Sequence, residues 1–166
     1  MLRLVRSLCW WCAILGGVLL AAVVLVTVVN VAGFALNAAA RLVDRSVPGL
    51  PGYEDAVSLM VGMGALMLLP WCQLERGHVS VDLFTSLMSG RAIAWLTRVS
   101  DAIMGALAAF LAVMMARGML DYRADAIRTP VLEWEVWPFM LPGIAALALW
   151  SVAAFCLAFV PEEAGP

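Results

Sequence analysis

The sequence has 166 residues, of which 64% are hydrophobic and 13% are charged, and its formal net charge is −2. A soluble domain of this length leaves much of its surface in water, and only about half of its residues are apolar, so this composition excludes an ordinary soluble protein. The ten basic residues are all arginines scattered along the chain, which excludes a basic face for nucleic acid. We therefore expect an integral membrane protein.

The first predicted element is a long apolar helix with a membrane span over residues 10–36. No charged side chain occurs from Ser7 to Ala40, whereas a spanning helix needs only about 20 mostly apolar residues. A secretory signal has a shorter apolar core, of about 7–15 residues, followed promptly by a cleavage site. We therefore expect a retained helix, preceded by Arg3 and Arg6.

The second predicted span covers residues 56–74, an uncharged segment that follows Glu54 and Asp55. Prolines and glycines just before it break the preceding helix and force a turn. In residues 80–89 the apolar side chains share one side of a helical wheel and the polar side chains share the other. This pattern predicts a short amphipathic helix lying in the headgroup plane, between the second and third spans.

The third and fourth predicted spans cover residues 93–116 and 137–160. Arg98 and Asp101 lie three residues apart in the first turns of the third span, where we expect an ion pair near the membrane surface. Charged residues continue at helical spacing after this span, so we expect the helix to project beyond the bilayer. The arginines divide equally between the two sides, and charge therefore does not orient the chain.

Catalytic and cofactor-binding patterns are missing from the sequence. Cys9 and Cys12 form a C-x-x-C pair, but the only histidine is His78, so zinc lacks four ligands and haem lacks two axial histidines. No nucleophile elbow, zinc-protease motif or phosphate-binding loop occurs. Thr27 and Asn30 are the main polar groups within a span, and we expect them to hydrogen-bond to neighbouring helices. We expect no enzyme activity, no cofactor, and no catalytic, substrate-binding or metal-ligating residue.

Two stretches carry a further pattern, which lies within a four-span layout covering nearly the whole chain. In the first, Glu54 opens the second span, and the exit from that span at residues 73–84 reads Gln-Leu-Glu-Arg-Gly-His-Val-Ser-Val-Asp-Leu-Phe. In the second, Thr129-Pro130-Val131-Leu132 is followed by Trp137-Pro138-Phe139 and Pro142-Gly143. Together these stretches resemble the small membrane (permease) subunit of tripartite ATP-independent periplasmic (TRAP) transporters.

The resemblance implies an accessory, non-catalytic subunit of a sodium-coupled secondary transporter for an organic acid. The protein would lie in the bacterial inner (cytoplasmic) membrane with both termini in the cytoplasm. Its partners would be a large multi-span permease subunit, which it braces, and a periplasmic solute-binding protein that reaches it through the complex. The candidate contacts with the partner subunit or with membrane lipids are Glu54, Arg76, His78, Asp82 and Phe84.

The sequence thus predicts an all-α integral membrane protein with a single membrane domain over residues 1–166. Two alternatives stay open. One is a small membrane subunit of another multicomponent uptake system, such as a tricarboxylate transporter. The other is a membrane anchor for a redox or enzyme complex.

Overall fold

The computed structural model of the protein describes residues 2–40, 51–75 and 90–159, and these residues form four α-helices. The helices are α1 (Leu2–Ala40), α2 (Tyr53–Leu74), α3 (Gly90–Ala124) and α4 (Trp137–Phe159). Each is long and apolar enough to cross a membrane, which confirms the predicted all-α fold with four spans. The amphipathic helix predicted at residues 80–89 lies outside the described residues, as does Val160 at the end of the fourth predicted span.

Two of the helices are much longer than the membrane is thick. At 1.5 Å per residue, the 39 residues of α1 and the 35 residues of α3 extend over roughly 58 and 52 Å. A hydrocarbon core is only about 30 Å thick, so both helices must tilt or project from it. Helix α3 continues to Ala124, past the predicted end of its span at residue 116. Arg3 and Arg6 lie in the first turns of α1, and their predicted place before the helix was wrong.

The seam between α1 and α2 follows a seven-residue repeat. The buried residues of α1 are Cys9, Gly16, Val23 and Asn30, so they share one face of the helix. The two backbones lie close together at Gly16, where an added Cβ would lie 2.8 Å from the carbonyl oxygen of Gly64 in α2. Glycine at both positions therefore permits the close approach that stabilises helix pairs in lipid.

Helix α4 is packed against α3 and against α2. Its buried face is made largely of small residues, among them Gly143 and Ala146. A Cβ added to Gly143 would come 2.8 Å from the Met115 side chain of α3 and 2.9 Å from the Leu66 side chain of α2. Around this contact Ala108, Leu147 and Trp150 form the buried apolar core. These contacts join α2, α3 and α4 into one bundle, with α1 packed on its α2 side.

Candidate functional site

A chain of hydrogen bonds connects three helices inside the bundle. The indole Nε1 of Trp150 (α4) donates to Oε1 of Gln73 (α2) over 3.0 Å. The Nε2 of Gln73 donates to Oδ1 of Asp101 (α3) over 2.8 Å. An indole nitrogen can only donate, so it faces the amide oxygen, and the amide nitrogen then faces the carboxyl group. All three side chains are buried, with exposed fractions of 3 to 7%. Gln73 is therefore the central link between α3 and α4.

The predicted pairing of Arg98 with Asp101 was wrong. Asp101 points into the bundle toward Gln73, whereas Arg98 is exposed, and within the described part of the chain the two form no salt bridge. Spacing along one helix identifies possible neighbours but does not show which face of the helix is buried. A second bond, from the Ser151 hydroxyl of α4 to the backbone oxygen of Gly105 in α3, lies near the same contact at 2.9 Å.

The prediction for the polar residues of α1 fails for one of them. The hydroxyl of Thr27 donates to the backbone oxygen of Val23 in the same helix over 2.8 Å, instead of to a neighbouring helix. Threonine commonly satisfies its hydroxyl in this way within a membrane helix. Asn30 is buried, with 2% of its surface exposed, in the seam that faces α2.

At the other end of α2, Asp55 holds the segment that connects α3 to α4. Its Oδ2 accepts hydrogen bonds from the backbone N–H groups of Val131 at 2.8 Å and Leu132 at 2.9 Å. The hydroxyl of Thr129 lies near this carboxylate. The same Thr129 oxygen accepts the backbone N–H of Trp134 at 3.1 Å. Asp55 thus fixes the connecting segment to the N-terminal end of α2, in a contact that we call the Asp55 latch.

The latch depends on a particular backbone shape on both of its sides. Gly52, just before α2, has a φ of 76°, and a Cβ at this position would lie 2.7 Å from the Leu132 side chain. Any other residue would have to adopt a left-handed backbone conformation, and its Cβ would collide with Leu132. These two constraints explain why glycine occurs at this position. Within the segment that connects α3 to α4, Arg128 pairs with Glu135 through an isolated antiparallel bridge and through a salt bridge of 3.7 Å. The connection is therefore a compact turn with its own internal bonds.

A third polar contact joins α1 to the C-terminal end of α2. The Nη2 of Arg6 lies 3.0 Å from Oε1 of Glu75, and its guanidinium carbon lies 5.8 Å from the centre of the Trp71 ring. Both charged side chains are well exposed, so the ion pair contributes little to stability. By the helix rise, Asp55 and Gln73 lie roughly 27 Å apart along α2. The contacts of Asp55 and Gln73 are therefore placed near the two ends of α2, whereas Trp150 and Ser151 lie about halfway along α4.

Only one of the predicted contact residues falls in the described part of the chain. Glu54 lies in the first turn of α2 with its side chain exposed, next to Asp55, which makes the latch. Arg76, His78, Asp82 and Phe84 lie outside the described residues. The sequence motifs contained both halves of the latch, Asp55 and the Thr129–Leu132 stretch, but nothing in the sequence indicated that they meet. Gln73 began the second part of the first motif, at residues 73–84, and its link to Asp101 was missed.

The described polar groups are suited to holding helices together. No cluster of three or more metal-binding side chains occurs among residues 2–40, 51–75 and 90–159. The interhelical bonds of Gln73, Trp150 and Ser151 all join side chains or backbone within the bundle. Four long apolar helices with such contacts define the class of the molecule, a multi-spanning α-helical membrane protein.

Comparison with known proteins gives the family. The family model described as "Tripartite ATP-independent periplasmic transporters, DctQ component" matches residues 31–160, which extend from the second half of α1 to the end of α4. The chain therefore belongs to this family, the small permease component of TRAP transporters. Comparison with curated proteins and with solved structures finds no match. The family match confirms the resemblance on which the sequence interpretation was based, and favours it over the two alternatives.

Family membership also has consequences for partners and activity. The family is a transporter component and not an enzyme family, and membership implies association with a large permease and a solute-binding protein. The four apolar helices agree with a multi-pass membrane protein.

Proposed function

We propose that this chain is the stationary brace of its transporter, and that it carries no solute by itself. In this proposal its four helices act as one membrane domain that widens the scaffold of the large permease subunit. The large subunit would hold the substrate and sodium sites and would move against this scaffold. The hydrogen bonding of Gln73 carries the proposal. Its amide oxygen accepts a bond from α4 and its amide nitrogen donates a bond to α3, so both ends of the amide are bonded to other helices of the same chain.

The distribution of polar groups supports this role. A carrier that moves solute by itself places polar or broken helices near the middle of the membrane. Here the bonds of α2 lie near its two ends, and Thr27 is bonded within its own helix. Trp150 and Ser151, about halfway along α4, are bonded to neighbouring helices of the same chain. A bundle fixed at both ends resists sliding of its helices, which is the property that a brace needs.

The outward surface supports contact with lipid and with a larger membrane protein. Helix α1 packs on α2 and only slightly on α4, and the rest of its circumference is apolar and exposed, as at Val24, Leu25 and Val28. Lipid tails are as apolar as these side chains, so association with a partner in the membrane depends on shape and close packing. A bundle with fixed helices presents one constant surface for such packing.

The finer features of the proposal follow from the family. We propose a bacterial inner-membrane location with both termini in the cytoplasm, which places the Asp55 latch on the periplasmic side, where the solute-binding protein arrives. We propose sodium-coupled uptake of an organic acid as the activity of the whole complex. Glu54, Arg76, His78, Asp82 and Phe84 are proposed contacts with the partner subunit or with lipid headgroups.

Co-purification and reconstitution test the proposal directly. The tagged chain, extracted in mild detergent, should retain the large permease in stable association. Vesicles that contain both subunits should take up the organic acid when the binding protein and a sodium gradient are supplied, and vesicles with either subunit alone should not. Solute uptake by the isolated chain, or its isolation without a large partner under conditions that preserve such complexes, would contradict the proposal.

A second test separates the brace from the substrate site. Replacement of His78 by alanine should leave the substrate affinity of the binding protein unchanged and should lower only assembly or the uptake rate. Glu54→Gln is a useful comparison, since this side chain is exposed at the opposite end of α2. A changed substrate affinity in either variant would show that the chain takes part in substrate recognition, and the accessory role would have to be abandoned.

A further inference from the structure

A groove opens where the first turns of α1 meet the last turns of α2. It has a volume of about 320 Å³ and is lined by Arg3, Arg6, Ser7, Trp10 and Trp71. Two guanidinium groups, a hydroxyl and two indole rings thus face one space. The two guanidinium groups carry positive charge, and the hydroxyl can donate a further hydrogen bond to an anion. The groove therefore has the chemistry of an anion site with aromatic walls.

The charges in this groove are only partly balanced. Arg6 bonds to Glu75 through one nitrogen, its side chain is 68% exposed, and a guanidinium has five N–H donors. Within the described part of the chain Arg3 makes no salt bridge. The first turn of α1 contains no acidic residue, although its free N–H groups place positive charge at this end. A bound anion would offset all three sources of positive charge together.

The position of the groove points to a lipid as the source of that anion. Trp10 and Trp11 are 44% and 57% exposed at the end of a membrane span, and tryptophan is enriched at the level of the headgroups. Below the groove, Gly17 and Ala21 follow Trp10 at intervals of seven and four residues, so they lie on the same face of α1. Ala21 is exposed, and a Cβ added to Gly17 would meet nothing within 4 Å. This open face of α1, which carries only small residues at these two positions and which we call the channel, lies beneath the cationic groove.

We propose that the groove binds the phosphate of an anionic phospholipid, and that one acyl chain of this lipid lies along the channel at Gly17 and Ala21. Arg3 and Arg6 contact the phosphate, with Trp10 and Trp71 beside it. Among the described residues only α1 and α2 line the groove, and the bound lipid fills the corner between them. This site is separate from the Asp55 latch, and it does not depend on the proposed bracing role.

Native mass spectrometry of the full chain in detergent tests the proposal with three probes: dioleoylphosphatidylglycerol, dioleoylphosphatidylcholine and inorganic phosphate. We expect the first to bind more tightly than the second, and inorganic phosphate not to displace it. Arg3→Gln should weaken phosphatidylglycerol binding roughly fivefold, the effect expected for one basic side chain near anionic lipid. Arg98→Gln, which removes an exposed arginine from α3, is the matched control and should leave the affinity unchanged.

Gly17→Leu tests the acyl-chain channel. The position is open, so folding should be preserved, and an unaltered unfolding transition would verify this. The larger side chain should lower phosphatidylglycerol affinity by filling the channel. Equal binding of the two phospholipids would overturn the proposal, and so would equal losses in the Arg3 and Arg98 variants. Displacement by inorganic phosphate would indicate a site for free anions, and unchanged binding in Gly17→Leu would rule out the channel.

Discussion

Replacement of Gln73 by methionine should destabilise the bundle far more than the loss of a single polar group on its surface. Methionine has nearly the same length but cannot accept from Trp150 or donate to Asp101, so both bonds of 3.0 and 2.8 Å are lost. Side-chain hydrogen bonds between membrane helices contribute about 0.6 to 1.7 kcal/mol each. Two of them give an expected loss of about 1 to 3 kcal/mol in the free energy of unfolding.

Equilibrium unfolding of the full chain in mixed micelles of mild detergent and dodecyl sulfate, followed by circular dichroism, measures this loss. The matched control is Thr97→Val, because the Thr97 hydroxyl donates to the Ile93 backbone oxygen of its own helix over 3.0 Å. That variant should unfold close to the wild-type midpoint. A double-mutant cycle with Trp150→Phe isolates one bond, with a coupling energy of about 0.6 to 1.7 kcal/mol. Equal midpoints for Gln73→Met and Thr97→Val would refute the reasoning.

Three further predictions concern the ends and the crossing point of α2. Gly64→Leu should weaken the contact with α1 and lower the unfolding midpoint, because an added Cβ would lie 2.9 Å from a side chain of α1. Gly62→Leu is the control and should leave the midpoint unchanged, because a Cβ at that position meets nothing within 4 Å. Asp55→Ala should release the connecting segment and speed its cleavage by protease in micelles, whereas Glu54→Ala should not; equal rates would argue against the latch. Glu75→Gln should shift the free energy of unfolding by no more than about 1 kcal/mol, since its ion pair is exposed, and a larger loss would show that the pair is better shielded than the structure indicates.

The number of membrane-spanning helices could be predicted from the sequence because hydrophobic length decides it. An uncharged run of about 20 residues has few alternatives to crossing a bilayer. The ends of the helices were harder to predict, because a bilayer fixes only the minimum length of a span. Arg3 and Arg6 looked like residues before a helix, yet long arginine side chains can reach the headgroups from within the first turns. The helix therefore extends past its apolar core without penalty.

The polar contacts were largely unpredictable because they connect residues far apart in the chain. The spacing of Arg98 and Asp101 favoured a local pair, but Asp101 pairs with Gln73, 28 residues away. The Asp55 latch spans 76 residues to Val131 and depends on the backbone of the connecting segment, which periodicity does not describe. A helix dipole favours an acid in the first turn, but it does not identify the N–H groups that donate to that acid.

The buried polar contacts and the apolar exterior of this chain serve complementary purposes. In lipid, apolar faces attract each other no more than they attract acyl chains, so they do not by themselves select one arrangement of helices. A buried hydrogen bond does select one, because sliding a helix by a single turn would leave its partner buried without a bond. Gln73 fixes α2 against α3 and α4, and Asp55 fixes the opposite end of α2 against the segment that joins those same two helices. With both ends of α2 fixed, the outer surface keeps one shape, which close packing against a partner requires.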